Sequence, residues 1–246
     1  MSISDQSSID QQELEKFNRT EQEWWNQDGE FKALHTINPV RIEYITSIAR
    51  KYFNIIDNKK SLLDGLKIID VGCGGGLICV PMSELGARVT GLDANKNNIK
   101  AATSYAKRNK LNIEYINDTI EEYTKSPKKY DIVLCLEVIE HVANQKEFVN
   151  NISKLVAPGG ILIFSSINRT RKAYLLAIMM AEYVLRWVPR QTHNYSKFIR
   201  PSEFVRMLER TTLRLSELKG LTFSMLSQNW YLSDDIDVNY FAVFTN

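Results

Sequence analysis

Short runs of β-branched and other apolar residues alternate along the chain with longer segments whose apolar positions recur at helical spacing. Such alternation is typical of a parallel sheet with helices on both faces. It predicts strands at residues 66–71, 87–92, 113–116, 130–136, 160–165 and 240–244. It predicts helices at residues 11–20, 38–53, 76–86, 97–109, 146–156 and 199–210. We therefore expect an α/β fold built on a doubly wound sheet.

Local signals place some helix ends and divide the chain. Asn38 followed by Pro39 predicts an N-cap and a first-turn proline, and Gly86 predicts a left-handed helix stop. We expect a single domain with four parts. Residues 1–60 form a helical N-terminal extension, and residues 61–168 form a cofactor-binding core. Residues 169–200 form an insertion after the fifth strand, and residues 201–246 form a C-terminal helix with closing strands.

Composition narrows the functional classes. The chain has 246 residues, 44% of them hydrophobic, which is enough for one full core. Its 31 Lys and Arg residues against 29 Asp and Glu residues leave a net charge of +2, which disfavours a general nucleic-acid binder. The three cysteines lack metal-site spacing and favour reduced thiols. The first residues are polar and lack a leader pattern, which favours a cytoplasmic protein.

The segment IDVGCGGGL, residues 69–77, joins the first predicted strand to a helix. Glycine at such a turn permits positive φ and leaves room for a ligand against the backbone. A tight turn without a ligand would use the same glycines. Asp93 follows the next strand at the distance where a carboxylate accepts the ribose hydroxyls of a nucleoside, so the two features together predict an adenosine-containing cofactor.

The loop departs from the dinucleotide fingerprint because Leu77 stands where that pattern has glycine. The pattern Asp70-x-Gly72-x-Gly74-x-Gly76 instead resembles the first motif of class I S-adenosylmethionine-dependent methyltransferases. The resemblance implies that Asp70 orders the turn near the cationic end of the cofactor, that Asp93 holds the ribose, and that Leu136 and Asp118 lie beside the adenine. Asp70 and Asp118 could otherwise be ordinary strand-end or cap residues.

A longer series of motifs resembles the ubiquinone biosynthesis O-methyltransferases. The series covers nearly the whole chain: Trp24-Trp25, GEFK at 29–32, INPxR at 37–41, LExxEH at 136–141, Asn168-Arg169, AEY at 181–183, Thr192-His193 and DVNY at 237–240. The resemblance implies methylation of ring hydroxyls on polyprenylated phenols and catechols at two steps, including 3-demethylubiquinol to ubiquinol. Leu136 stands where the family is expected to have methionine, a volume-conserving change.

Arg41 is identified by this resemblance as the cofactor-contacting arginine of the extension. A guanidinium can bind the carboxylate tail of the cofactor through paired hydrogen bonds. The other interpretation of Arg41 is an arginine on a helix surface.

The cluster Glu137, Glu140 and His141 bears on how a phenol is activated, because its hydroxyl is mostly protonated at neutral pH. Three interpretations are open. The three side chains could bind Mg²⁺ or another divalent cation that lowers the pKa of a catechol. His141, with Glu140, could act in general acid–base catalysis. The glutamates could also be first-turn acids, with alignment supplying most of the acceleration.

Residues 169–193 combine a long apolar stretch with flanking basic residues. Charge interrupts the stretch too often for a bilayer span, but the pattern suits a helix that lies in a membrane surface. A helix buried against its own domain is the alternative. The family resemblance favours a membrane-contacting lid for the polyprenyl tail, peripheral association with the inner face of the membrane, and other quinone-pathway enzymes as partners.

Other functions remain for comparison. An NAD-dependent oxidoreductase would share the glycine loop, although Leu77 opposes it. A non-catalytic membrane scaffold would not need Gly72, Asp93 and Arg41. A C-methyltransferase of the same pathway differs only in the nucleophile, which the sequence does not display.

Overall fold

The computed structural model describes residues 8, 10, 13, 19–55, 61–125, 128–176 and 194–246. Across these residues one sheet contains eight strands in the order β3-β2-β1-β4-β5-β8-β6-β7. The strands are β1 Lys67–Val71, β2 Arg88–Asp93, β3 Ile113–Asn117, β4 Tyr130–Leu136, β5 Val156–Ile167, β6 Arg214–Ser224, β7 Asn229–Ser233 and β8 Asn239–Thr245. The expected doubly wound α/β sheet is confirmed.

Strands β1 to β5 are parallel, and β8, β6 and β7 join the sheet in antiparallel fashion. The strand order reverses between β1 and β4, which pair in the register Ile69 with Val133. In open α/β sheets, ligands bind beyond the carboxyl ends of the strands at such a reversal. The glycine loop leaves β1 at this point.

Helices cover both faces of the sheet. They are α1 Glu21–Trp25, α2 Lys32–Phe53, α3 Cys79–Glu84, α4 Lys96–Arg108, α5 Ile120–Tyr123, α6 Gln145–Ser153, α7 Arg171–Ala173 and α8 Pro201–Leu208. One buried cluster packs residues of α6 and α8 against the sheet, including Phe148 and Phe204. The other packs α2, α3 and α4, including Ile45 and Met82. Burial of both sheet faces explains the near-continuous apolar runs of the central strands.

Helix starts differ from the predicted ones. Helix α2 begins at Lys32, so Pro39 lies inside it and Asn38 is buried rather than capping. Asn38 instead accepts a hydrogen bond from Arg41 Nη1 at 3.3 Å. After the glycine loop, α3 begins only at Cys79. Gly86 does end this segment with a φ of +96°, as predicted.

Strands β6 and β7 were not predicted. Much of β6 and all of β7 are only partly buried or exposed, so neither carries the apolar run that marks β1 and β4. The predicted helix at residues 11–20 lies almost wholly outside the described residues, as does most of the segment at residues 169–193. In the part of the chain that the structure describes, no helix is long and apolar enough to cross a membrane.

Candidate active site

The glycine loop takes the backbone conformations that its sequence predicts. Gly72, Gly74 and Gly76 have φ values of +78°, +53° and +86°, which residues with a Cβ rarely adopt. The Gly72 and Cys73 amides donate to the carbonyl of Leu92 at 2.8 and 3.1 Å. These bonds fix the loop to the end of β2.

The space beside the loop is filled by side chains of the protein. A Cβ on Gly72 would lie 2.4 Å from Val138, and one on Gly76 would lie 2.3 Å from the Tyr115 hydroxyl. At Gly74 and Gly75, the nearest atoms are indole carbons of Trp24, at 2.5 and 2.4 Å. The sequence-based explanation, that the glycines leave room for a ligand, is therefore incomplete. Neighbouring side chains of the protein itself already leave no space for a Cβ at these glycines.

Asp93 connects the end of β2 to this loop. Its Oδ2 accepts a hydrogen bond from the Gly74 amide at 2.9 Å, and its Oδ1 accepts one from the Asn95 amide at 2.7 Å. The side chain is 9% exposed. Burial raises the pKa of Asp93, against the lowering effect of the bonds from Asn95 and Gly74. Its carboxyl group thus faces the loop at the predicted place.

Asp70 lies at the same edge of the sheet, near the end of β1. It is 4% exposed, and Cys79 Sγ donates to its Oδ2 at 3.5 Å. Burial raises the pKa of Asp70 to about 7; the nearby Asp93 also raises it, whereas Cys79 and Arg41 lower it. A cation placed beside this carboxyl would favour its ionised form.

Arg41 reaches this edge from α2. The residue is 4% exposed, and its Nη2 lies 3.1 Å from Oε1 of Glu137, just beyond β4. Within the described part of the chain, the buried Arg41 Nε has no hydrogen-bond partner. A buried donor without an acceptor costs free energy, so this group fits an acceptor supplied by a ligand.

Asp118 and Leu136 complete the predicted set. The Asp118 amide donates to the Asp93 carbonyl at 3.3 Å, and Asp118 Oδ1 accepts from the Thr119 amide at 2.8 Å. Leu136 ends β4 beside Ser165 of β5 and is partly buried. The structure therefore brings Arg41, Asp70, Gly72, Gly74, Asp93, Asp118 and Leu136 to the carboxyl edge of the parallel strands.

Glu140 is buried next to Glu137. Ser166 Oγ donates to Glu140 Oε2 at 3.1 Å, and Ser165 Oγ donates to Glu137 Oε1 at 2.9 Å. Burial, and next the negative charge of Glu137, raise the pKa of Glu140 well above its ordinary range. Burial and a neighbouring negative charge both favour the protonated form of a carboxyl group.

His141 faces the N-terminal segment. It ends a short 3₁₀ turn at Ile139–His141, and its Nδ1 lies 2.9 Å from Glu13 Oε2. A carboxylate on one ring nitrogen fixes the orientation of the imidazole. The arrangement suits a base whose other nitrogen meets a substrate proton.

The side chains predicted to bind a metal do not fit one in this arrangement. Glu137 is engaged by Arg41 and Ser165, Glu140 by Ser166, and His141 by Glu13. Nowhere in the described ranges do three or more His, Cys, Asp or Glu side chains form a group that could hold a metal ion. The divalent cation expected from the sequence has no support in this geometry.

Three residues of the site were given no role from the sequence. Trp24 covers the glycine loop, Asn98 lies between Trp24 and Asp93, and Glu13 contacts His141. The glycine at position 75 could have indicated the contact with Trp24. Gly75 falls outside the alternating glycine pattern, and it has no positive φ that would require glycine. A glycine of that kind indicates a close neighbour.

Comparisons with known proteins find methyltransferases both by sequence and by fold. A family model described as a methyltransferase domain matches residues 43–218. The ubiquinone biosynthesis O-methyltransferase of Rickettsia canadensis (strain McKiel) is 52% identical over 235 residues, covering 96% of this chain and 96% of that protein. Among solved structures, the plantazolicin methyltransferase BpumL in complex with SAH aligns with a TM-score of 0.61 at 18% identity, covering 96% of this chain and 97% of the other. The magnesium protoporphyrin IX methyltransferase from Synechocystis PCC 6803 with bound SAH aligns with a TM-score of 0.59 at 17% identity, covering 86% of this chain and 85% of the other.

Proposed function

The chain belongs to the ubiquinone biosynthesis O-methyltransferases, and we propose that it methylates ring hydroxyls of polyprenylated phenols and catechols with S-adenosylmethionine. The observation that carries this proposal is the match at 52% identity over 96% of both chains. We further propose that it acts at two steps, one of them the conversion of 3-demethylubiquinol to ubiquinol.

The residues at the carboxyl edge of the sheet fit S-adenosylmethionine, which supplies an activated methyl group on a sulfonium centre. Asp93 would accept the ribose hydroxyls, and Asp70 would lie near the cationic end. Arg41 would offer its unpartnered Nε to the carboxylate tail. Gly72, Gly74, Asp118 and Leu136 would form the walls around the nucleoside. These contacts are proposals, supported by burial and by the SAH named with the two structural neighbours.

His141 is the residue we propose as the general base. A phenol must lose its proton to become a good nucleophile, and an imidazole is the side chain that most often makes such a transfer. The contact of Nδ1 with Glu13 orients the ring, and we propose Nε2 as the atom that accepts the hydroxyl proton. Holding the hydroxyl in line with the methyl group would supply much of the remaining acceleration.

Glu140 would serve this site as a neutral hydrogen-bonding acid. Its contact with Ser166 joins the turn after β4 to β5, and burial beside Glu137 favours its protonated form. Glu137 would hold Arg41 in place by their ion pair. No step of this proposal depends on a divalent cation.

The acceptor is expected to reach the enzyme from a membrane. In support, Tyr174, Leu175 and Leu176 are 43%, 57% and 44% exposed where the chain leaves β5. We propose that residues 169–193 contact the membrane surface and receive the polyprenyl tail, on the cytoplasmic face. Other enzymes of the quinone pathway are proposed partners.

A direct test is methyl transfer from S-adenosylmethionine to a short-tailed catechol by the purified protein. We expect an O-methylated product, unchanged activity with a chelator, and loss of turnover in His141→Ala. A C-methylated product would favour the alternative acceptor chemistry. Activity that disappears with the chelator and returns with Mg²⁺ would restore the metal interpretation of Glu137, Glu140 and His141.

Asp93→Asn gives the matched test of the cofactor site. The variant keeps the size of the side chain but loses the carboxylate that accepts hydrogen bonds from the ribose hydroxyls, so we expect the Kd of S-adenosylhomocysteine to rise about tenfold. Isothermal titration calorimetry measures this directly. An unchanged Kd would remove Asp93 from the ribose site.

A further inference from the structure

The indole of Trp24 packs against the glycine loop. It is 5% exposed, and its ring carbons occupy the positions that a Cβ would need at Gly74 and Gly75. Phe31 stacks on it with ring centroids 3.9 Å apart, and His35 Nε2 lies 2.9 Å from its carbonyl oxygen. The indole therefore has a fixed place and orientation.

Hydrogen bonds connect this indole to Asp93. Trp24 Nε1 donates to Asn98 Oδ1 at 3.1 Å. Asn98 Nδ2 donates in turn to Asp93 Oδ1, at a longer 3.5 Å, and Asp93 Oδ2 accepts from the Gly74 amide at 2.9 Å. This series of hydrogen bonds therefore connects two side chains, Trp24 and Asp93, that both contact the glycine loop.

The indole N–H also decides which end of the Asn98 amide faces Asp93. An indole nitrogen is only a donor, so it can bond only to the amide oxygen of Asn98. The amide nitrogen must then point toward the Asp93 carboxylate. Without the indole N–H, the amide could turn its oxygen toward that carboxylate, where two acceptors would repel.

We propose that Trp24 is a positioning residue for Asp93, acting through Asn98 to set the carboxylate that holds the ribose of the cofactor. This inference rests on the proposed role of Asp93. It gives the N-terminal extension a part in cofactor specificity, although the matched methyltransferase domain begins only at residue 43.

The test uses the full chain and two ligands, S-adenosylhomocysteine and its 2′-deoxyadenosyl analogue. Trp24→Phe keeps an aromatic ring beside the loop and removes the donor, together with part of the ring that packs on Gly74. The lost packing should affect both ligands alike, so the ratio of their affinities reports the donor. We expect the preference for the ribo ligand over the deoxy ligand to fall about fivefold, the size of one hydrogen bond. A merely structural role would weaken both ligands equally and leave their ratio unchanged.

Trp25→Phe is the matched control. Trp25 Nε1 donates to the Gly75 carbonyl at 3.2 Å, so this variant also loses an indole hydrogen bond to the loop, but not one that leads to Asp93. We expect it to keep the wild-type ratio. Asn98→Ala should lower the ratio like Trp24→Phe, and adding Trp24→Phe to it should lower the ratio no further.

The outcomes separate this inference from the proposed function. A wild-type protein that binds both ligands equally, or binds neither, would contradict the role of Asp93 and the inference with it. A wild-type preference that persists in Trp24→Phe would overturn the inference alone. If Trp24→Phe does not fold, an unchanged preference in Asn98→Ala still overturns the inference, because Asn98 is the residue through which Trp24 would act.

Discussion

At the scale of single residues, Gly75 tests how closely Trp24 is fitted to the loop. Gly75 lacks a positive φ, so its replacement by alanine adds only bulk, 2.4 Å from Trp24 Cγ. We expect Gly75→Ala to lower the free energy of unfolding by about 1–3 kcal/mol, the usual cost of overpacking. Urea denaturation gives the value.

Two further variants make the result specific. Gly29→Ala is the control, because its nearest atom, in the side chain of Asn26, is 3.1 Å away and movable. In a Trp24→Ala background, Gly75→Ala should cost much less than in the wild type. An equal cost in both backgrounds would show that Trp24 is not what excludes the methyl group.

Asp70 makes stability depend on pH. Its pKa of about 7 in the folded state exceeds the ordinary value of 3.8, so the folded protein keeps a proton that the unfolded chain releases. Its stabilising contribution is full below pH 4 and is lost as pH rises through 7, about 4 kcal/mol in all. Carboxyls with lowered pKa act in the opposite direction, so the measurement is the difference between wild type and Asp70→Asn.

We expect wild type to lose free energy of unfolding relative to Asp70→Asn between pH 4 and pH 8. Chemical denaturation at several pH values, without ligand, measures the difference. A difference that stays constant over this range would mean that Asp70 ionises normally in the folded protein.

The sequence predicted backbone conformations and strand ends around the glycine loop better than it predicted side-chain contacts. The three positive φ values and the position of Asp93 followed from the chain alone, because strand ends and glycine conformations are local properties. The contact of Trp24 with Gly75 did not, because a one-dimensional pattern shows that bulk is excluded but not which distant side chain excludes it. The partners of Glu137 and Glu140 were missed for the same reason.

At the scale of elements, α2 is attached to β6 through Glu217. Tyr44 Oη donates to Glu217 Oε1 at 2.9 Å, and Lys51 Nζ lies 2.8 Å from Oε2. Burial raises the pKa of Glu217, but the bonds from Lys51 and Tyr44 outweigh burial and leave that pKa lowered. Its stabilising contribution is therefore present above the ordinary carboxyl pKa and lost as pH falls through the lowered value.

We expect Glu217→Ala to cost about 1–3 kcal/mol at neutral pH, because it leaves the buried hydroxyl of Tyr44 without its acceptor. Thermal or urea unfolding measures the change. Glu122→Ala is the control: its pair with Lys125 is exposed, and such pairs contribute about 0–1 kcal/mol. Equal losses in the two variants would contradict a specific link between α2 and β6.

Elements were predictable where both faces are buried and less so elsewhere. Strands β1, β2 and β4 were found within a residue or two, and most of their residues are buried. Strand β3 was found as well, although it is only partly buried. The start of α2 was placed too late, since Asn38-Pro39 has the form of a helix start but lies inside a helix whose stability comes from packing. Tertiary contacts override such local signals.

At the scale of the whole molecule, the exposed residues after β5 bear on membrane contact. Arg171 is exposed, whereas Lys172 is paired with Asp235 and Asp237. Because an exposed charge attracts anionic lipid, we expect Arg171→Ala to weaken binding to anionic vesicles by about 1 kcal/mol.

Lys172→Ala serves as the comparison, because its charge is already compensated within the protein. We expect it to change vesicle binding less than Arg171→Ala does, as measured by vesicle sedimentation. The same affinity for all three proteins would argue that this segment does not face the lipid.

The place of β8 in the sheet has a consequence for how the chain is made. This strand, residues 239–245, lies between β5 and β6, so β6 and β7 have no link to the rest of the sheet until it is present. On the ribosome the parallel half can pair while β8 has yet to be synthesised. During that interval the nascent chain carries an open edge on β5 and a hairpin that is not yet joined to the sheet, both competent to pair with other chains. Chaperone protection should therefore matter most before β8 has been synthesised and paired.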